Sequence, residues 1–414
     1  MSFYNDCVKV KNASYELASL TTEQKNELLL EFAKALVKNT DAILIANELD
    51  LKNARENNMT TAFIDRLTLT KERIEQMAEG VKDIVSLEDP IGRLLEERTI
   101  SKGIRLKKVS VPLGVIGIIF ESRPNVSADS IALCIKSSNV CILKGGKEAI
   151  NSNCAISDIF TDILECKSYD KNFVLMVRDT TRETTNELMR LKGIVDILIP
   201  RGGKNLINAV CENSKVPVIE TGAGNCHIFV DESADFESAT RIIDNAKTQR
   251  PSVCNAVETV LVCETVAEKF LPMLRDVLTS KGVEIRGCEK TKAIINDVTL
   301  ATEEDYETEF NDLILAVKVV SDTKEAVSHI RKYSTHHSEA ILSSNDENIN
   351  YFTSCVDSAA VYVNASTRFT DGAEFGLGAE IGISTQKLHT RGPMGLRELT
   401  SYKYILVGDG TIRG

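Results

Sequence analysis

Cys254 stands in Gln249-Arg-Pro-Ser-Val-Cys-Asn-Ala-Val-Glu-Thr259, between a helical pattern at 234–248 and an apolar run at 257–262. A thiol at a helix-to-strand junction can be packed and still be reached from a cleft. The thiolate is the nucleophilic form, and a neighbouring cation, here Arg250, favours it. The plain alternative is one more buried cysteine in a chain that has eleven, since free cysteine behaves mostly as a small apolar residue.

Four other segments carry residue types suited to chemistry. In Gly114-Val-Ile-Gly-Ile-Ile-Phe-Glu-Ser-Arg-Pro-Asn125 an apolar strand ends in a polar turn. Open α/β sheets bind ligands at such carboxyl ends. Asn125 suits a developing oxyanion, and Arg123 a carboxylate or phosphate. In Cys141-Ile-Leu-Lys-Gly-Gly-Lys147 a strand ends in Lys144 and Lys147 around Gly145 and Gly146. Lysine meets phosphate as a point charge, and glycine lets a ligand approach the backbone. Ile199-Pro-Arg-Gly-Gly-Lys204 places Gly202 and Gly203 before a helix at 205–211, where an anion can sit on the first amides. No G-x-G-x-x-G occurs, so a dinucleotide site here is a variant one. Ile219-Glu220-Thr-Gly-Ala-Gly-Asn225 puts a carboxylate at a strand end before a flexible turn. Glu220 is therefore a candidate base or substrate contact, or a solvated loop residue.

The elements that must position these residues are legible in outline. Thr21-Thr22-Glu23-Gln24 forms a capping box, and Leu28, Leu29, Phe32, Ala35 and Leu36 follow on one face of a helix over 21–38. A second amphipathic helix spans 70–85. Residues 98–113 alternate around a break at Lys102-Gly103, the pattern of a β-hairpin. Apolar runs at 115–120, 140–144, 173–177, 194–199, and 216–220 running on to 225–230 then alternate with helical stretches. That alternation predicts an α/β fold with a doubly wound parallel sheet whose faces are covered by helices. A second α/β unit is expected from the runs at 257–262, 312–320, 340–343 and 359–363, with a β-rich tail at 399–409.

Composition narrows the function. A net charge of −11 argues against broad nucleic-acid binding, which needs a basic surface. No C-x-x-C pair and no His beside a Cys at ligand spacing appears, so no metal is expected. The odd, scattered cysteines fit reduced thiols in the cytoplasm. The first residues, Met-Ser-Phe-Tyr-Asn-Asp, have no basic stretch followed by an apolar one, so no signal peptide is expected. No apolar run approaches the ~20 residues a bilayer span requires.

Taken in order, these segments resemble the aldehyde dehydrogenase superfamily: a strand with its Asn/Pro turn, a strand-ending Lys, a Gly-rich turn, Glu-x-Gly-x, then Cys. Glu220 and Cys254 are 34 residues apart, close to the usual separation. Phe120-Glu-Ser-Arg-Pro-Asn125, Gln249–Asn255, Ala326-Val-Ser-His-Ile-Arg-Lys-Tyr-Ser-Thr-His-His-Ser-Glu-Ala-Ile341 and Arg391–Tyr404 are similar to the gamma-glutamyl phosphate reductase branch. Two departures from the wider superfamily stand out. The proline of the oxyanion turn is displaced by one position, so Arg123 and Asn125 compete for one place. The usual Glu-Leu-Gly-Gly is Glu220-Thr-Gly-Ala, fitting a branch with no thioester to hydrolyse.

The resemblance implies two doubly wound α/β domains plus a β oligomerisation element. Residues 1–97 and 114–226 would bind NADP(H), 227–392 would carry catalysis, and 98–113 with 393–414 would join chains into a homodimer or a dimer of dimers. It implies NADPH-dependent reduction of L-glutamyl 5-phosphate to L-glutamate 5-semialdehyde, the second step from glutamate to proline. Cys254 would be the nucleophile and Asn125 the oxyanion donor. Arg123, Arg250 and Glu220 would contact substrate. Lys144, Gly145, Gly146, Lys147, Gly202, Gly203 and Glu309 would hold the cofactor. Lys147 occupies the place where many NAD-preferring members carry a glutamate near the adenosine ribose. His329, His336 and His337 are read as structural. A separate glutamate kinase would supply the substrate, with transient contact between the two. The rival readings are a hydrolytic NAD-dependent semialdehyde dehydrogenase and a binding protein that kept the fold.

Overall fold

A computed structural model describes residues 2–413. The chain divides into two compact units: residues up to Thr221 with Gly376–Gly382 and the segment from Met394 onward, and Gly222–Phe375 with Ile383–Pro393.

The first unit opens with five helices, Phe3–Leu17, Thr22–Lys38, Thr40–Glu56, Thr61–Leu67 and Lys71–Ser86. The capping box at Thr21 and Gln24 is present. Leu28, Leu29, Phe32 and Leu36 are buried, as are Ile74, Met77, Ala78, Val81 and Ile84 of the fifth helix. These stripes join the strands Val115–Phe120 and Val140–Gly145 in one apolar core, which is the main source of their helical stability. Ala35 is only partly buried; Ala33 takes its place in the core.

The sheet of this unit has four parallel strands, in the order Val174–Met176, Val140–Gly145, Val115–Phe120, Ile197–Arg201. The last strand begins three residues later than the apolar run suggests, because Gly193 turns the chain at φ +91°. Residues 216–220 form no strand. Pro217 has no N–H to give a ladder, and the segment makes a single bridge, Leu198 to Val218.

The hairpin is real and starts earlier than expected. Leu94–Thr99 pairs antiparallel with Arg105–Pro112. The turn between them holds Lys102 at φ 61° and Gly103 at φ 75°. The tail strand Thr400–Val407 pairs with the other edge of Arg105–Pro112 along its whole length. This three-stranded sheet leaves Leu94–Thr99 and nearly all of Thr400–Val407 exposed.

The second unit is built on seven parallel strands, in the order Thr299–Leu300, Glu284–Gly287, Ile314–Val320, Val257–Cys263, Cys226–Val230, Ser338–Leu342, Ala360–Val363. Cys226–Val230 lies inside this sheet, not in the first one as the continuous apolar reading of 216–230 suggests. Thr221-Gly-Ala-Gly-Asn225 breaks the run, and an apolar strand carries no mark of which sheet it joins. Glu284–Gly287 and Thr299–Leu300 escape the sequence reading because they are only four and two residues long and lie at or next to the sheet edge, with polar or exposed positions that break the apolar run.

Candidate active site

The turn that holds Cys254 is fixed from four sides within the second unit. Asp235 caps the preceding helix, Phe236–Thr248, by accepting from the Ser238 N–H at 2.9 Å. Near that helix's end, the Lys247 ammonium meets the Glu258 carboxylate of the following strand at 2.6 Å, with both side chains fully buried. Glu258 also accepts from the Asn311 N–H at 3.2 Å. Burial pushes Glu258 up to about 7, against the pull of Lys247. Removing one partner of such a pair costs about 3–5 kcal/mol, because the other charge is left buried alone. The pair therefore pins both ends of the Cys254 turn.

Asn255 anchors the turn to the chain after the last strand. Its carbonyl accepts from Thr367 Oγ1 at 2.7 Å, and its Nδ2 donates to the Thr370 carbonyl at 2.9 Å. On another side Gly224 packs so tightly that a β-carbon there would overlap the Cys254 carbonyl. The Gly224 N–H in turn donates to Glu309 Oε1 at 2.9 Å. The Cys226 thiol donates to the Cys254 carbonyl at 3.1 Å. Cys226 is buried, and burial pushes its thiol well above the ordinary cysteine range. It is a protonated support, whereas Cys254 is partly exposed.

Of the residues expected at the site, this unit thus holds Arg250, Cys254 and Glu309. Arg250 is exposed. One residue escaped the sequence reading. Arg368, on the short helix Thr367–Phe369, donates from Nε to Gln249 Oε1 at 3.0 Å and from Nη1 to Asn255 Oδ1. A lone Arg in Ser366-Thr-Arg-Phe-Thr370 carries no local signal; only the fold takes it to the Cys254 turn. His329 and His337 are buried, and burial lowers the pKa of both. His329 packs on Tyr306, Tyr333 and His227, with ring centroids 4.5–5.5 Å away. His336 is exposed, at φ 62°.

The first unit gathers the other candidates at the carboxyl ends of three adjacent strands. Val115–Phe120 lies between Val140–Gly145 and Ile197–Arg201, with Phe120 opposite both Gly145 and Arg201. The polar turn with Arg123 and Asn125, the Lys144–Lys147 turn and the Arg201–Lys204 turn therefore lie side by side. From Val115–Phe120 the chain first winds through Val140–Gly145 to Val174–Met176, then crosses back to Ile197–Arg201. A reversal of this kind is the switch point where doubly wound sheets bind ligands.

Two carboxylates that the sequence reading passed over organise these turns. Glu148 accepts from both the N–H and the hydroxyl of Ser122, each at 3.1 Å, and holds Ser122 at φ 46°. Glu121 accepts from the Gly203 N–H at 3.1 Å, at the N-terminus of the helix Lys204–Asn213. Gly203 itself faces open space, with nothing within 4 Å of a built β-carbon. Lys147 is exposed and Lys144 is buried. Burial lowers the Lys144 pKa, opposed by Asp179 and Glu148. Gly203 and the two lysines fit an anionic nucleotide, but Glu148 lies over Gly146 and Glu121 over Gly202 and the Gly203 N–H, so both carboxylates must move aside before an anion can sit on that backbone. Asn125 begins the helix Asn125–Lys136 and donates from Nδ2 to Asp129 at 3.1 Å. Burial pushes Asp129 up to about 6, against that hydrogen bond and the Arg201 charge. Glu220 is half-buried in the same unit, within electrostatic reach of Cys211, whose pKa burial and Glu220 raise.

Known proteins place this arrangement. The aldehyde dehydrogenase family profile matches residues 6–291, and that family uses nicotinamide cofactors. The gamma-glutamyl phosphate reductase of Caldanaerobacter subterraneus subsp. tengcongensis is 57 % identical over 98 % of both chains. That of Carboxydothermus hydrogenoformans is 56 % identical over 98 % of both. The crystal structure of gamma-glutamyl phosphate reductase from Thermotoga maritima superposes with a TM-score of 0.97 at 48 % identity, covering 99 % of each chain. With a cysteine turn built as described and such relatives along its whole length, the chain belongs to the aldehyde dehydrogenase family, in its gamma-glutamyl phosphate reductase branch.

Proposed function

We propose that the chain reduces L-glutamyl 5-phosphate to L-glutamate 5-semialdehyde and phosphate with NADPH, through a thioester on Cys254. The observation that carries this reading is Cys254 itself: partly exposed on a turn pinned by Gly224, Asn255 and the Lys247–Glu258 pair. Relatives 56–57 % identical over 98 % of the chain carry the name of that activity.

The chemistry follows from the chain's own groups. An acyl phosphate is already activated, so the Cys254 thiolate attacks the acyl carbon and phosphate leaves. Asn125 and backbone N–H groups stabilise the oxyanion. Cys254 then holds the acyl group as a thioester, away from hydrolysis. A nicotinamide held beside Cys254 would supply the hydride that brings the acyl group to the aldehyde level. Cys254 is released as thiolate when the aldehyde departs. Lys144, Gly145, Gly146, Lys147, Gly202, Gly203 and Glu309 hold the cofactor; Arg123, Arg250 and Glu220 contact substrate.

The same reading makes 1–97 with 114–226 the NADPH-binding part and 227–392 the catalytic part. The exposed sheet of 98–113 and 393–414 joins chains into a homodimer or dimer of dimers. A kinase on another chain supplies the acyl phosphate. Eleven free cysteines and the absence of any described helix long and apolar enough to cross a membrane support a cytoplasmic setting.

The test is the reverse reaction. Glutamate semialdehyde, NADP+ and inorganic phosphate should give NADPH, with a rate that vanishes when phosphate is omitted. NADPH formation that is independent of phosphate would mean water takes the acyl group, the behaviour of a hydrolytic dehydrogenase.

A further inference from the structure

Arg368 is a half-buried guanidinium held by neutral groups. Its Nε donates to Gln249 Oε1 at 3.0 Å, and its Nη1 to Asn255 Oδ1. Gln249 and Asn255 flank Cys254 in the chain. Among the described residues no carboxylate forms an ion pair with Arg368. Asp371, Cys254 and Cys226 lie within electrostatic reach, but Asp371 Oδ1 accepts from the Ala373 and Glu374 N–H groups, and neither thiol is a fixed carboxylate partner. A second cation, Arg250, adds to the unmet charge, and with burial it lowers the Arg368 pKa. A protein that desolvates a guanidinium beside a like charge, and orients it with amide oxygens instead of a carboxylate, has kept its positive charge for an incoming anion. Amide acceptors fix direction without neutralising.

We propose that Arg368 binds the α-carboxylate of the substrate and so sets which end of the molecule meets Cys254. This assignment rests on the glutamyl phosphate reading above. That substrate carries two anions. The phosphoryl group leaves in the first step, whereas the carboxylate is present from binding to release. A guanidinium clamped on both sides of the nucleophile turn cannot follow a departing ion, but it can hold a fixed one. The amino group at Nη2 has no hydrogen-bond partner among the described residues, which leaves it to bind a carboxylate oxygen.

The experiment compares Arg368→Gln and Arg368→Lys with the wild type in the reverse reaction. Each is assayed with glutamate semialdehyde and with 4-aminobutanal, the same aldehyde without its carboxylate. Losing a charge-assisted hydrogen bond should raise KM for the semialdehyde about 10²-fold in Arg368→Gln. KM for phosphate should barely move, and KM for 4-aminobutanal should stay at its wild-type value. The wild-type preference for the carboxylated aldehyde should therefore collapse. Arg368→Lys keeps the charge but cannot reach both amides, so a smaller rise in the same KM is expected; it also serves if the Gln variant does not fold. A rise in KM for phosphate instead would make Arg368 a phosphate ligand and overturn the proposal. So would an unchanged preference in both variants with the wild type active. No phosphate-dependent turnover in the wild type would overturn the underlying reaction as well.

Discussion

The α-carbon of Gly224 lies against the backbone of Cys254, with the Cys254 Cα 2.6 Å from where a β-carbon on residue 224 would stand. Real β-carbons do not come this close to backbone, so any side chain here must displace the turn. Gly224 is not at a positive φ; it is glycine for space, not for conformation. A misplacement of about 1 Å can cost ~10²-fold in rate. Gly224→Ala should therefore lower kcat about 10²-fold or more and slow alkylation of Cys254, while cofactor binding persists. Wild-type kcat in Gly224→Ala would show that the turn can yield without harm.

Cys254→Ala should abolish turnover in a protein that still folds and binds cofactor. Cys263→Ala should stay active, since Cys263 is buried at the far end of the strand that follows the turn. Mass spectrometry after brief iodoacetamide treatment should find the label on Cys254 and none on buried Cys226. More than trace activity in Cys254→Ala would remove the thioester from the mechanism.

Glu220→Gln should cost far less than the loss of Cys254. An acyl phosphate needs no activated water, so no general base is required at that step. Comparing kcat for the two variants decides the point. Losses of similar size would give Glu220 a direct chemical role, such as activating the thiol.

What could be read from the sequence followed physical rules that act locally. The Thr21–Gln24 capping box, the stripe from Leu28 to Leu36 and the strand Val115–Phe120 depend on neighbours in the chain, and they appear where their patterns put them. Val216–Glu220 has the apolarity of a strand yet forms none, because apolarity alone does not report the missing Pro217 donor. Cys226–Val230 joins the second sheet and not the first, and nothing in the strand itself says so, because partner choice is not written in a strand. At the site, Cys254 and the three turns of the first sheet were visible as motifs. Arg368, Glu121 and Glu148 were not, since each acts through contacts with residues 26 to 119 positions away.

The tail strand is predicted to hold the oligomer together. Tyr402, Tyr404, Ile405, Leu406 and Val407 are exposed on Thr400–Val407, and Leu94 and Leu95 on the hairpin. An edge strand of this kind is a template for pairing with another chain. Truncation after Arg397 removes it and bares the edge of Arg105–Pro112. Sedimentation should then show monomers, or the protein should become insoluble. A truncated chain that sediments like the intact one would place the interface elsewhere.

NADPH is predicted to be preferred over NADH, with Lys147 as the cause. Lys147 is exposed at the end of the Lys144-Gly145-Gly146 turn, on the carboxyl end of a strand next to the switch point. The neighbouring carboxylate does not cancel it. Glu148 folds back over Gly146 and is engaged by the N–H and hydroxyl of Ser122. A cation and a phosphate ~4 Å apart attract by about 4 kcal/mol at an effective dielectric of ~20. Solvent screening of an exposed lysine cuts this to a net preference of about 1–3 kcal/mol, roughly tenfold to a hundredfold. Lys147→Glu should raise KM for NADPH and leave use of NADH nearly unchanged, because only NADPH carries the 2′-phosphate. The effect should shrink as salt is added, since an exposed pair is screened. Equal kcat/KM for the two cofactors in the wild-type enzyme would sink the assignment.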